Sequence, residues 1–346
     1  MEKILVTGGA GFIGSNLCEH LVLNGYDVVC LDNFSTGHMS NIQHLIDGYP
    51  LNFKLIEGDI RNFETCVRAV NGVQYVLHEA ALGSIPRSIN DPITTNDVNI
   101  GGFLNMLVAA RDSNIRRFIF AASSSTYGDN TDLPKREDNI GRPLSPYALT
   151  KYVDELYADV FAKTYGIEYI GLRYFNVFGR RQDPNCMYAA VIPLFIKQFL
   201  NHKQPKINGD GLNTRDFTYI DNVLHMNMLA LKTTNTQAVN QIYNTAGGGR
   251  TSIHKLANEI KSCLVQYDFS ISDINPIYGA YRLGDIPHSF ASIDKAKQLL
   301  GYSPLVSFQE GLNETLNSTC KCNRILINNL FKFFVWREVS KSFTRS

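Results

Sequence analysis

The chain has 346 residues, enough to bury one large core or two lobes sharing an interface, which excludes a small binding module. Its 33 Lys and Arg against 32 Asp and Glu leave no global field that would favour nucleic acid or an acidic membrane surface, so the expected partner is a small molecule. The 7 cysteines, an odd count with no C-x-x-C spacing, read as reduced thiols of a cytoplasmic protein.

Taken from the start, Met1 leads directly into Ile4 to Val6 and a Gly-rich turn, so no secretory leader is expected. The first 316 residues contain no apolar run long enough to span a bilayer. Short Val- and Ile-rich runs alternate with longer helical patterns, as buried parallel strands and crossover helices do. Expected strands are Ile4 to Val6, Asp27 to Leu31, Phe53 to Ile56, Tyr75 to Leu77, Phe118 to Ala121 and Tyr169 to Leu172. A helix is expected from Ile13 to Leu23, with Ile13, Leu17 and Leu21 on one face, and another from Pro146 to Tyr165, stopped by Gly166. After Tyr174 the rhythm turns to Gly and Pro loops, then returns to a helix over Asn222 to Leu231 and a strand over Ile242 to Asn244. The fold class is α/β: a Rossmann-type doubly wound parallel sheet with a smaller α/β substrate-binding lobe. Residues 1–175 form the dinucleotide-binding domain, to which the chain returns at about 217–245; 176–216 and 246–317 form the lobe, and 318–346 an atypical tail.

Gly8, Gly11 and Gly14 follow the first strand and open the first helix at G-x-x-G-x-x-G spacing, where bare backbone N–H groups and a helix N-terminus can meet a pyrophosphate. Asp32 ends the second strand, where a carboxylate accepts hydrogen bonds from an adenosine ribose and repels a 2'-phosphate; NAD is favoured over NADP. Asp59 and Ile60, and the run His78, Glu79, Ala80, Ala81, sit at the same carboxyl edge, with His78 read as structural. Tyr147 and Lys151 lie four apart on one helix face. A phenol titrates at roughly 10, so its use as a base near neutrality needs adjacent positive charge, which Lys151 would supply. A serine cluster, Ser123 to Ser125 before Tyr127-Gly128, precedes them.

On these residues, and on the strings Ala80 to Ser84, Leu172 to Gly179 and Asn208 to Gly211, the chain resembles the extended short-chain dehydrogenase/reductases of the NAD-dependent epimerase/dehydratase family over about residues 1–316. The resemblance is greatest to bacterial UDP-N-acetylglucosamine 4-epimerases of surface polysaccharide pathways. It implies Ser123, Tyr147 and Lys151 as catalytic residues, Tyr147 being the base. It implies a cofactor shell of Gly8, Gly11, Phe12, Ile13, Gly14, Asp32, Asn33, Ser35, Thr36, Gly37, Asp59, Ile60, Ala80, Ala81, Asn99, Tyr147, Lys151 and Tyr174 around tightly bound NAD, with Phe175 beside Tyr174 on the nicotinamide side. For the UDP-hexose it implies Ser84, Ser123, Ser125 and Tyr147 at the sugar, Asn176, Arg215 and Arg282 at the diphosphate, Lys206 and Asn208 at the uridine, with Ala190, Val191, Asp285 and Ser289 completing the pocket. A homodimer packed through helices near Val98 to Asp112 and Pro146 to Tyr165 is also implied; no metal is.

The expected reaction is oxidation at C4 of UDP-N-acetylglucosamine, rotation of the 4-keto sugar and return of the hydride to the other face, giving UDP-N-acetylgalactosamine. Ser124 and Ser125 stand where the related dehydratases carry an Asp and a Glu, which argues against water elimination. Ser289, seven residues past Arg282, leaves room for a 2-acetamido group; UDP-glucose and UDP-glucuronate are the alternative substrates. A non-catalytic NAD-binding sensor would not need Ser123, Tyr147 and Lys151, and an RNA-associated role would want a basic stripe. The tail mixes Lys321, Arg324, Lys332 and Arg337 with the apolar Ile325 to Trp336. It fits a membrane-surface or partner-binding helix, a docked helix, disorder or a changed reading frame, and does not choose among them.

Overall fold

The structure, a computed structural model, describes residues 1–185, 189–281 and 286–319. The tail from 320 onward and the positions Arg282 and Asp285 lie outside the described residues. Six strands succeed one another first: β1 (Lys3–Thr7), β2 (Asp27–Asp32), β3 (Phe53–Glu57), β4 (Tyr75–His78), β5 (Arg117–Ser123) and β6 (Tyr169–Tyr174). Then come β7 (Val177–Phe178), β8 (Lys206–Asn208), β9 (Thr214–Arg215), β10 (Thr218–Tyr219), β11 (Gln241–Thr245), β12 (Thr251–Ser252) and β13 (Ile277–Gly279). Every strand expected from sequence is present, longer at its ends by one or two residues.

The main sheet has the order β11-β6-β5-β4-β1-β2-β3, and all its pairings are parallel. Strand order reverses between β1 and β4, which opens a crevice at the strands' carboxyl ends, where a doubly wound sheet binds its ligand. The fold is thus Rossmann-type α/β. The pairs β7·β10, β9·β12 and β8·β13 form short separate ladders beyond the sheet.

The helices are α1 (Phe12–Leu23), α2 (Gln43–Gly48), α3 (Phe63–Val70), α4 (Ile85–Asn90), α5 (Pro92–Asn96), α6 (Gly102–Asp112), α7 (Pro146–Tyr165), α8 (Val191–Leu200), α9 (Ile220–Lys232), α10 (Ile253–Val265) and α11 (Asp294–Leu300); residues 308–319 are also helical. A π-helical turn, Asp97–Gly101, joins α5 to α6. Alternation along each strand sends Ile4, Val6, Val28 and Leu77 to one core with α1 and α9, and Leu5, Val29, Val76 and Phe118 to another with α3, α6 and α7. Burial on both faces is why these strands read as continuous apolar runs.

Local chemistry sets the ends of α7, the helix that carries Tyr147 and Lys151. Ser145 Oγ accepts from Ala148 N at 3.1 Å as N-cap, and Pro146 occupies the first turn, where a missing N–H costs nothing. Gly166, at φ 73°, closes the helix in the left-handed conformation that glycine adopts without penalty. Among the described residues no helix is long and apolar enough to cross a membrane.

Candidate active site

One cavity of about 370 Å³ runs along the crevice. Its walls include Gly8, Gly11, Phe12, Ile13 and Gly14 from the first turn, Asp32, Asn33, Ser35 and Thr36 after β2, and Asp59 and Ile60 after β3. Ala80 and Ala81 after β4, Ser123 at the end of β5, Tyr147 and Lys151 from α7, and Tyr174 at the end of β6 complete it. The structure therefore brings the expected cofactor and catalytic residues to a single space, except Gly37 and Asn99, which do not line it.

The glycine turn is tight enough to forbid side chains. A Cβ on Gly14 would stand 2.1 Å from Gly8 O, and one on Gly8, whose φ is 65°, 2.9 Å from the Ala80 backbone. Gly37 similarly backs onto Ala10, 2.8 Å from its carbonyl carbon. The α1 N-terminus has no side-chain cap, so its backbone donors are left for an anion. Asp32 is 7% exposed; its Oδ2 accepts from Ala10 N at 2.9 Å and its Oδ1 from Phe34 N at 2.7 Å. Both oxygens keep lone pairs for hydroxyl donors. Asp59, held by Arg61 in a two-pronged contact and by Asn33, has its carboxyl lowered to about 2, with the Arg61 hydrogen bonds the largest cause. A bare backbone cradle, a helix N-terminus and a fixed carboxylate fit a dinucleotide diphosphate and ribose.

At the other end of the cavity, Lys151 is buried and its Nζ donates to Ala121 O at 2.9 Å and to Asp154 Oδ2 at 3.3 Å. Burial alone would depress this ammonium, but the negative partners, Asp154 first and Tyr147 next, outweigh it and raise it. Asp154 is raised to about 7 by burial, against the pull of Lys151. Ser123 Oγ accepts from Ser125 N at 3.1 Å and from Ser125 Oγ at 2.9 Å, which leaves the Ser123 proton to be donated elsewhere. Asn99 is buried and grips Leu82 in both directions, accepting from its N at 2.8 Å and donating to its O at 3.2 Å, while also donating to Thr150 Oγ1. His78 bonds Thr7 Oγ1 at 2.9 Å, packs on Phe103 and Phe118, and is pushed down to about 3 by burial, so it is a neutral packing residue.

The remaining substrate-side candidates and Phe175 are more dispersed. Ser84 caps α4 with φ 99°, a conformation that costs a non-glycine residue and is found where function tolerates strain. Asn176, at φ 35°, donates from Nδ2 to Asp216 O. Asp216 is fully buried, accepts from Gly247 N and Ala291 N, and is raised to about 7 by burial. Arg215 donates to Thr214 O and Pro287 O. Phe175 is buried against Tyr127. Ala190 and Val191 begin α8, Lys206 and Asn208 are the exposed ends of β8, and Ser289 is 4% exposed beside β9, its N donating to Thr214 O.

Two acids, the half-buried Glu79 and the buried Asp154, escaped the sequence reading of roles. Glu79 lines the cavity and accepts from the Tyr174 hydroxyl at 2.8 Å. Asp154 is the Lys151 partner just described. The signal for Asp154 was its i+3 spacing from Lys151; that for Glu79 was its place one residue past β4.

The model of the NAD dependent epimerase/dehydratase family matches residues 4–246. The chain belongs to this family. It is an NAD-dependent nucleotide-sugar epimerase by membership. The epimerase is 37% identical over 323 residues to a putative UDP-glucose 4-epimerase of Methanocaldococcus jannaschii, covering 93% of this chain and 99% of the relative. A UDP-N-acetylglucosamine 4-epimerase from Methanobrevibacter ruminantium M1, solved with UDP-N-acetylmuramic acid, superposes with TM-score 0.85 at 37% identity, over 92% of this chain and 98% of that one. A UDP-glucuronic acid 4-epimerase from Bacillus cereus, solved with UDP-glucuronic acid and NAD, gives TM-score 0.83 at 33% identity, over 91% and 98%.

Proposed function

We propose that the chain interconverts UDP-N-acetylglucosamine and UDP-N-acetylgalactosamine by oxidation and re-reduction at C4, serving surface polysaccharide synthesis. The observation that carries this reading is that Ser123, Tyr147, Lys151 and Tyr174 line the same cavity as the glycine turn and Asp32. Proton removal and cofactor then meet at one carbon of the substrate.

NAD, when bound, supplies acceptance and return of a hydride. In this reading the Gly8 to Gly14 turn and the α1 N-terminus hold its diphosphate and Asp32 its ribose. Tyr147 takes the proton of the sugar 4-hydroxyl as the C–H bond at C4 breaks, and gives it back on re-reduction. Lys151 holds positive charge beside that phenolate, and Asp154 and Ala121 O keep the ammonium in place. Ser123, whose oxygen is already accepting, donates its hydrogen to the sugar 4-oxygen. Ser84 and Ser125 line the hexose, Asn176 and Arg215 clamp the diphosphate, and Lys206 and Asn208 frame the uridine, so that the sugar alone is free to turn over.

Ser124 and Ser125 cannot serve as an acid and base pair, which disfavours water elimination. The choice of acetylated hexose rests on the small Ser289. Homodimerisation is supported by exposed apolar side chains on α7, Leu149 at 51%, Leu156 at 48% and Val160 at 53%, which follow one helical face. Purified protein given each UDP-hexose separately, with products followed by NMR of the anomeric protons, tests the assignment. Conversion of UDP-N-acetylglucosamine is expected. Turnover confined to UDP-glucose or UDP-glucuronate would remove the acetylated sugar, and no turnover of any would remove the epimerase reading.

A further inference from the structure

Glu79 is an acid where the catalytic mechanism uses none. It follows β4 directly, is partly exposed, and lines the cavity at the end occupied by Tyr147, Lys151 and Tyr174. A chain of donors fixes it. Asn227 Nδ2, from α9, donates to the Tyr174 oxygen at 2.9 Å, so the single Tyr174 proton is directed to Glu79 Oε1 at 2.8 Å. Asn227 is itself buried and anchored to Val223 O on its own helix. The groups facing Glu79 are thus Tyr174 from β6, backed by Asn227, and the Lys151 ammonium from α7; its neighbour on β4, His78, is neutral and turned to Thr7.

This arrangement holds an acceptor oxygen, rather than a donor, at the end of the cavity where C4 chemistry takes place. A carboxylate there favours a cationic ring over a neutral one. We propose that Glu79 tunes the redox balance of the site: its carboxylate, oriented by Tyr174 and Asn227, stabilises oxidised nicotinamide relative to reduced nicotinamide and so speeds return of the hydride to the keto sugar. The inference rests on the NAD-dependent reading above. Burial raises the carboxyl to about 7, so its charge changes near neutral pH.

The test is a redox titration of purified holoenzyme against mediators of known potential, reading the absorbance of the reduced nicotinamide. Reduction consumes two electrons and one proton. Glu79→Gln keeps an oxygen to accept from Tyr174 but removes the charge; it is expected to shift the bound couple toward the reduced form roughly tenfold, about 30 mV for a two-electron couple. Glu79→Asp, which keeps the charge, is expected to stay near wild type. An unchanged potential in Glu79→Gln, or equal shifts in both variants, overturns the proposal while the bound cofactor leaves the epimerase reading intact. Failure of the wild-type protein to hold any nicotinamide overturns both. Should Glu79→Gln not fold, the wild type carries a second readout. Its midpoint is expected to fall more steeply than the ordinary ~30 mV per pH unit on passing through about pH 7, as Glu79 ionises; a constant slope across that range overturns the proposal.

Discussion

Lys151 and Asp154 allow the structural and chemical duties of one lysine to be separated. Their side chains are 4% and 1% exposed, and Nζ lies 3.3 Å from Asp154 Oδ2. Asp154 Oδ1 is buried with no hydrogen-bond partner, so the ammonium is the chief compensation for that carboxylate among the described residues. Lys151→Met keeps most of the stem volume and removes the charge, leaving an uncompensated buried anion, a change that costs about 3–5 kcal/mol. Because Asp154 can escape by taking a proton, and is already raised to about 7, the loss is expected to be larger at about pH 8 than at about pH 6. Adding Asp154→Asn should recover about 2 kcal/mol or more of it, the coupling of a close pair. Activity should not recover, because Tyr147 still lacks its cation. Urea unfolding of the two single variants and the double variant, at both pH values, measures these quantities. A Lys151→Met loss below about 1 kcal/mol, or additive single and double losses, would refute the argument that the pair is an obligate buried unit.

Other consequences are as direct. Tyr147→Phe should lower epimerisation by about 10²–10⁴-fold, the usual worth of a positioned acid–base group, while the urea midpoint stays within error. Gly14→Ala places a Cβ 2.1 Å from Gly8 O, so the turn must open; NAD binding measured by calorimetry should be lost even if the protein folds. Asp216 is raised to about 7, above its unfolded value, so the folded state binds the extra proton between roughly pH 4 and pH 7 and the stability this contributes is lost as pH rises through about 7. The stability of wild type relative to Asp216→Asn should therefore fall by on the order of 2 kcal/mol between about pH 5 and about pH 8; a gap that widens with pH contradicts the burial argument.

Much of this architecture was legible in the residues because the main sheet is buried on both faces. Runs such as Ile4 to Val6 and Phe118 to Ala121 are continuously apolar for that reason, and their carboxyl ends mark the site. Helix α7 was readable at both ends, since Pro146 and Gly166 each have a physical reason to be there, while the Ser145 cap emerged only from the structure. The small ladders beyond β6 were not, because strands of two or three residues carry no period. Nor could spacing show that Asn99 is a brace beneath Leu82, or that Glu79 meets Tyr174 across 95 positions of chain. Those contacts arise only when β6 and the Asp97–Gly101 turn close on the segment that follows β4.

The account stands on one claim, that the bond broken and remade is the C–H bond at C4, with the same hydrogen leaving and returning. UDP-N-acetylglucosamine labelled with deuterium at C4, incubated with the purified epimerase in ordinary water, tests this when the product is examined by mass spectrometry and NMR. The prediction is UDP-N-acetylgalactosamine that retains the deuterium at C4. Inverted product carrying solvent hydrogen there would contradict it, because proton exchange rather than hydride return would then have inverted the centre.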